Sequence, residues 1–346
     1  MSGHAGGPSG RPGTPLRVAL IGPGRIATAH LEAITAAPDA ATLVAVAGLD
    51  HERARTEELA ARYGAERAEH DAEAVLAAPD VDAVVLTVPN HVHASLAVAA
   101  LEGGKHVLVE KPLATTVADT DLMIAAAEKY DRTLMAAQCR RFFEGAQTAK
   151  RRIGELGGPV SLVHLLGVFA ERAATGWWRS AADVGGLALG LNGPHVVDTM
   201  LWLIGTPPVR VYARTRRLRE EWEGEDEAVV VVDFADGSLG TGYLSLNARQ
   251  PVNDRWINGP GGTMRLTDDR NLWIDGAPVV EEEVVPYIHG DASFRRQFRE
   301  FAEAVTTGRV PQASAAEVRP VAAVMEAALR SARTGRPVEL EQESAP

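Results

Sequence analysis

The chain has 346 residues, 46% hydrophobic and 23% charged, a globular composition that excludes a disordered or fibrous protein and is long enough for two domains. Lysine and arginine number 35 against 46 aspartates and glutamates, so the net charge is −11 and nucleic acid is not an expected partner. The single cysteine, Cys139, excludes an internal disulfide and a cysteine zinc cluster. No apolar run nears the roughly 20 residues that span a bilayer, so the expectation is a cytoplasmic protein without a membrane partner.

Residues 1–14, rich in Gly, Pro and Ser, read as a disordered tail with no apolar secretion core. Beyond it, short apolar strands alternate with helical patterns. Strands are expected at 16–21 (LRVALI), 43–48 (LVAVAG), 83–88 (AVVLTV), 106–110 (HVLVE) and 133–137 (TLMAA). Helices are expected at about 25–36, 52–63, 91–101 and 117–130. Such alternation gives a doubly wound parallel sheet with helices on both faces, here over residues 15–139.

The pattern changes after about residue 156. Strands at 160–169, 209–214, 228–235, 238–245, 263–267 and 271–274 are joined by short turns, among them Ala235-Asp236-Gly237. With one clear helix among them, 195–204, this is an α+β domain with a mostly antiparallel open sheet over residues 140–340. Helices at 293–307 and 315–332 close the chain, and could pack back on either domain.

Four clusters carry chemistry. Gly22-Pro23-Gly24-Arg25-Ile26-Ala27 is a GxGxxA loop between a strand and a helix. Its first glycine allows a tight turn, its second admits a pyrophosphate, and the helix N-terminus favours the negative charge. Asp50, near the end of the next strand, either binds the adenosine ribose or caps the following helix. Gly48 stands in the ribose position, and His51 or Arg53 could reach a 2′-phosphate, so the cofactor is NAD or NADP. Thr87-Val88-Pro89-Asn90-His91-Val92-His93 follows a central strand, where open α/β sheets bind ligands, and no acidic or thiol group completes a metal site around its histidines. Glu110-Lys111-Pro112 ends another strand at the same edge. An ammonium there could hold a substrate hydroxyl or exchange its proton, with the proline in a cis bond.

The fourth cluster, Gly185 to Asp198, enters the second-domain helix. Pro194 suits a first helical turn, His195 stands at the helix start as a candidate proton acceptor, and Asp198 could orient it or simply bond the helix surface. Arg140 could grip a carboxylate or phosphate, or form an ion pair at the domain boundary. Of the adjacent Trp177 and Trp178, which point opposite ways on an extended chain, one could line a sugar face; Trp178 is taken as the candidate.

Together, GPGRIA, TVPNHVHA, LEGGKHVLVEKPLA, GPGGTMRLTDD and the closing FREFAEAVTTGRVPQASAAEVRPVAAVMEAALRSARTGRPVEL resemble the Gfo/Idh/MocA family over about residues 16–340. The resemblance implies a Rossmann domain plus an open sheet whose outer face often mediates dimer or tetramer assembly. It also implies hydride transfer between a nicotinamide and a secondary alcohol or ketone of a sugar or cyclitol. By the same resemblance Gly22, Pro23, Gly24, Arg25 and Ile26 hold the pyrophosphate. Thr87, Pro89, Asn90 and His93 border the nicotinamide, Glu110 lies beside the ribose, Lys111 is the catalytic lysine and His195 its second-domain partner, with Asn192 at the substrate. The family's usual aspartate, four residues before that histidine, is Leu191 here. A lyase or hydrolase that keeps its NAD for transient oxidation, or a dinucleotide-responsive binding protein, are the alternatives that this departure allows.

Overall fold

The computed structural model describes residues 14–283 and 291–341; residues 1–13 of the expected tail lie outside the described residues. The chain forms two compact units. The first comprises Met1–Ala114, Ala118–Cys139 and Val285–Glu317, and the second Thr115–Val117, Arg140–Val284 and Val318–Pro346.

In the first unit six parallel strands lie in the order β3-β2-β1-β4-β5-β6. They are β1 (Leu16–Ile21), β2 (Ala41–Ala47), β3 (Arg67–Glu69), β4 (Ala83–Leu86), β5 (His106–Glu110) and β6 (Leu134–Ala137). The intervening helices are α1 (Ala27–Thr35), α2 (Arg53–Tyr63), α3 (Ala72–Ala77), α4 (His93–Glu102) and α5 (Val117–Tyr130). Every residue of β4, β5 and β6 is buried, as the near-continuous apolar runs require of strands covered on both faces. The strand order reverses beside β1, so the carboxyl ends of β1 and β4 open a crevice between them. Strand β3 and helix α3 escape the sequence reading, since three and six residues are too few to show a period.

The second unit contains α6 (Glu144–Arg152), β7 (Ser161–Phe169), α7 (Ala181–Val184), α8 (Ala188–Ile204), β8 (Pro208–Arg216), β9 (Glu227–Phe234) and β10 (Leu239–Ser245). These are followed by β11 (Asn247–Gly259), β12 (Gly262–Thr267), β13 (Asn271–Ile274) and β14 (Ala277–Val280), and the short β15 (Val338–Glu339) lies near the chain end. The sheet runs β14-β13-β12-β11-β7-β10-β9-β8-β15, antiparallel throughout except between β7 and β10. Helix α8 lies on one face. A Cβ at Gly240 or Gly242 would meet Met200 or Val196 of α8 at 2.1 and 2.6 Å, so these glycines set how closely the helix approaches.

Three expectations are corrected here. Helix α8 begins at Ala188, seven residues before His195, and Pro194 lies inside it. The stretch LALGLNGP reads as loop because Gly and Pro disfavour helices, yet burial against the sheet overrides that propensity. Strand β11, 13 residues long, was hidden by its polar composition (NARQPVNDRWING), and α6 by its charge (EGAQTAKRR). Of the closing helices, α9 (Ala292–Thr307) packs on α1 in the first unit, burying Phe294, Phe298 and Phe301 along one stripe. Helix α10 (Ala315–Thr334) belongs to the second unit from Val318 onward. Among the described residues no helix is long and apolar enough to cross a membrane.

Candidate active site

The glycine loop is pinned to the end of β4. Gly22 has φ +104°, and a Cβ on it would stand 2.7 Å from the carbonyl oxygen of Thr87, so both its backbone and its surroundings demand glycine. Thr87 completes the tie by donating its hydroxyl to the Gly22 carbonyl at 2.6 Å. Gly24 is different. Its φ lies outside the left-handed region, and the nearest heavy atom to a Cβ built on it is the Thr87 oxygen, an ordinary 3.6 Å away. The fold would accept a side chain at Gly24; an approaching phosphate would not. Helix α1 starts directly after, and no side chain caps it. Gly22, Gly24 and the helix start therefore fit a dinucleotide pyrophosphate.

At the end of β2 the residue that meets this loop is Gly48, whose Cβ would lie 2.8 Å from Pro23 Cγ. Asp50 stands farther out in a 3₁₀ turn (Asp50–Glu52), highly exposed, and receives a 2.7 Å bond from Arg53 that holds its carboxyl below the usual carboxylate range. It does not cap α2, whose N-cap is Glu52.

Asn90 is buried in the turn after β4, Pro89 precedes it, and His91 is exposed. His93, the first residue of α4, is fully buried; its Nδ1 lies 2.7 Å from the Pro112 carbonyl oxygen and its Nε2 3.0 Å from that of Val88. Burial holds this imidazole below its ordinary pKa. Its part is to hold the segment after β4 against the segment after β5. Glu110 is also buried, bonded to His30 Nε2 at 2.8 Å and accepting the Lys111 amide at 3.1 Å. Desolvation pushes the Glu110 carboxyl up, but these partners and the Lys111 charge hold it below the usual range. Lys111 itself is half-buried, and the Lys111–Pro112 bond is cis. His30 was missed in the sequence; its signal is only a histidine on the buried stripe of α1, where apolar residues are the rule.

In the second unit α8 carries Leu191, Asn192, His195 and Asp198. Asn192 and His195 are three apart and so share a helix face. His195 is buried, and the Asn192 amide nitrogen is buried without a partner among the described residues, a donor suited to a ligand oxygen. Leu191 is buried one turn before His195. Asp198 forms a two-pronged pair with Arg141, at 2.9 Å from Nε and 2.7 Å from Nη2, both side chains almost fully buried. Arg140 donates to Asp269 at 2.8 Å within the same unit, so its ion pair is not one across the domain boundary. Trp177 and Trp178 lie in a 3₁₀ turn (Gly176–Arg179) with rings edge to face, centroids 6.2 Å apart, rather than on opposite sides of an extended chain. Among the described residues no group of three His, Cys, Asp or Glu side chains is arranged to hold a metal ion.

Residues 16–138 match the oxidoreductase family with an NAD-binding Rossmann fold, and residues 147–265 match the Gfo/Idh/MocA C-terminal domain. The chain is 31% identical over 342 residues to inositol 2-dehydrogenase 1 of Saccharopolyspora erythraea, covering 94% of this chain and 96% of that one. It is 32% identical over 349 residues to D-apiose dehydrogenase of Paraburkholderia graminis, covering 93% and 89%. Among solved structures, aldose-aldose oxidoreductase from Caulobacter crescentus, complexed with glycerol, superimposes with a TM-score of 0.83 at 27% identity, over 94% of this chain and all of that one. The chain belongs to the Gfo/Idh/MocA family of oxidoreductases.

Proposed function

We infer that the protein is an NAD(P)-dependent dehydrogenase acting on a secondary alcohol, or the corresponding ketone, of a sugar-like or cyclitol-like molecule in the cytoplasm. The observation that carries this is Gly24, a glycine the fold does not need in a loop pinned where β1 and β4 part. The relatives named for inositol, apiose and aldoses support the substrate class, and a lone buried cysteine accords with a reducing compartment. Gly22, Pro23, Gly24, Arg25 and Ile26 would hold the pyrophosphate, and Thr87, Pro89 and Asn90 the nicotinamide end. The nucleotide, when bound, supplies the hydride acceptor or donor. Lys111 exchanges the proton of the substrate hydroxyl, and Asn192 and His195 bind the polyol, with His195 as a second proton carrier. Leu191 cannot take the proton-relay role of the aspartate it replaces, which leaves that role to these two side chains.

Calorimetric titration with NAD⁺, NADH, NADP⁺ and NADPH tests the reading. One redox pair should bind, and Gly24→Ala should weaken it about tenfold or more, roughly one hydrogen bond to a charged group, with melting unchanged. Gly22→Ala should instead destabilise the unit itself. No binding of any of the four would refute the assignment.

The reading also includes a homodimer or homotetramer. The sheet's outer face presents a cross-strand row of Trp273, Arg265, Trp256, Val163, Thr241, Val231 and Tyr212, set side by side by the strand register. Trp256 and Val163 are exposed, and such an apolar patch suits association. Light scattering should find an oligomer that Trp256→Lys dissociates; a monomeric wild type at micromolar concentration would count against it.

A further inference from the structure

The backbone on each side of Lys111 is tied to a buried histidine, and the two histidines come from different walls of the crevice. Before the lysine, the Glu110 carboxylate takes the His30 ring on one oxygen, at 2.8 Å, and the Lys111 amide on the other, at 3.1 Å. After it, the Pro112 carbonyl meets His93 Nδ1 at 2.7 Å. His30 lies on α1, the helix that opens from the glycine loop, and an edge-to-face contact with Phe294 at 5.2 Å holds its ring. His93 opens α4 and reaches back to Val88, beside Thr87. Both rings are nearly or fully inaccessible to solvent.

This arrangement does more than fill space. An apolar side chain would pack at either position, whereas each histidine meets a polar group that flanks Lys111, and His93 meets the Val88 carbonyl as well. The bond to the Glu110 carboxylate is charge-assisted, the bond to the Pro112 carbonyl is short and buried, and together they fix the lysine's backbone while its side chain stays at the crevice. Each tie also runs to an element that starts at a predicted cofactor-binding loop, so displacement of either loop is transmitted to the lysine.

We propose that His30 and His93 are positioning residues that hold Lys111 in register with the glycine loop and with the segment after β4. The proposal rests on the reading of Lys111 as the proton-exchanging group. Neither ring touches substrate in it; each acts through the main chain next to the lysine.

The chain has four lysines, Lys105, Lys111, Lys129 and Lys150, so the full-length protein labelled with ¹³C-lysine gives four side-chain Cε signals. The signal lost in Lys111→Arg identifies Lys111. His30→Leu and His93→Leu should move or broaden that signal and leave the other three in place. With the inositol or aldose that the wild type turns over fastest, kcat should fall on the order of tenfold, the equivalent of one buried hydrogen bond, with KM and the dissociation constant of the nucleotide little altered. His30→Gln keeps a donor at the Nε2 position for Glu110, and His93→Asn keeps one at the Nδ1 position for Pro112, so each should restore most of the loss. His93→Gln, which serves only Val88, should not. If His30→Leu does not fold, His30→Asn, too short for Glu110, carries the same expectation. A Lys111 signal unmoved in the leucine variants, or a loss that the Gln and Asn variants fail to rescue, overturns the proposal. Undiminished turnover in Lys111→Ala overturns the proton-exchange role of Lys111 instead, and the lysine signals tell the two failures apart.

Discussion

Lys111→Ala should lower kcat for polyol oxidation on the order of 10²–10⁴-fold, the range set by loss of a positioned proton-transfer group. Melting temperature should hardly change, because the side chain is only half-buried and stands past the end of β5 rather than in the sheet. Nucleotide affinity should change far less than kcat, since the pyrophosphate is assigned to the glycine loop on α1. Lys111→Arg is a sharper probe: it keeps the charge but cannot release a proton near neutral pH, so it should be nearly as inactive. Steady-state kinetics beside nucleotide titration check both. If either variant retains more than about a tenth of wild-type kcat, too little for the proton-transfer role, then His195 carries the chemistry and Lys111 only binds.

Asp198→Ala should destabilise the protein by about 3–5 kcal/mol, the cost of leaving a buried charge without its partner. Arg141 would lose this carboxylate while keeping its guanidinium in a site where its side chain is 2% exposed, 5.5 Å from the Trp202 ring centroid. The damage should centre on α8, which also carries Asn192 and His195, so polyol KM should rise with the loss of stability. Joint replacement Arg141→Met with Asp198→Leu should recover much of the stability, because removing both charges also removes their desolvation cost. Urea denaturation of the two variants beside the wild type is the measurement. A loss below about 1 kcal/mol in Asp198→Ala would mean that the pair behaves like an exposed one.

The contrast between these residues shows which kinds of information a linear chain carries. Five of the six strands of the first unit were legible because parallel strands covered on both faces appear as short apolar runs, and their carboxyl ends are where ligands bind in such sheets. Hence Gly22–Ile26, Thr87–His93 and Glu110–Lys111 could be named from position alone. The nine-stranded unit was legible only where strands alternate or apolar residues dominate; the polar β11 and the glycine-rich opening of α8 were not, since tertiary burial overrode their local preferences.

Partners were the harder matter. Composition, periodicity and strand-end position depend on near neighbours, and they are enough to specify the family's architecture, the glycine loop and the place of Lys111 in this chain. Which acid meets which base depends on groups distant in sequence: His30 and Glu110 are 80 residues apart, Arg141 and Asp198 are 57, and Arg140 and Asp269 are 129. No local pattern encodes such pairs, because each is selected by the packing of whole elements and by the need to satisfy a buried charge once it is there. Thus Asp198, adjacent to His195 by helical spacing, belongs to Arg141, and His30, inconspicuous in the sequence, stands behind the candidate catalytic lysine.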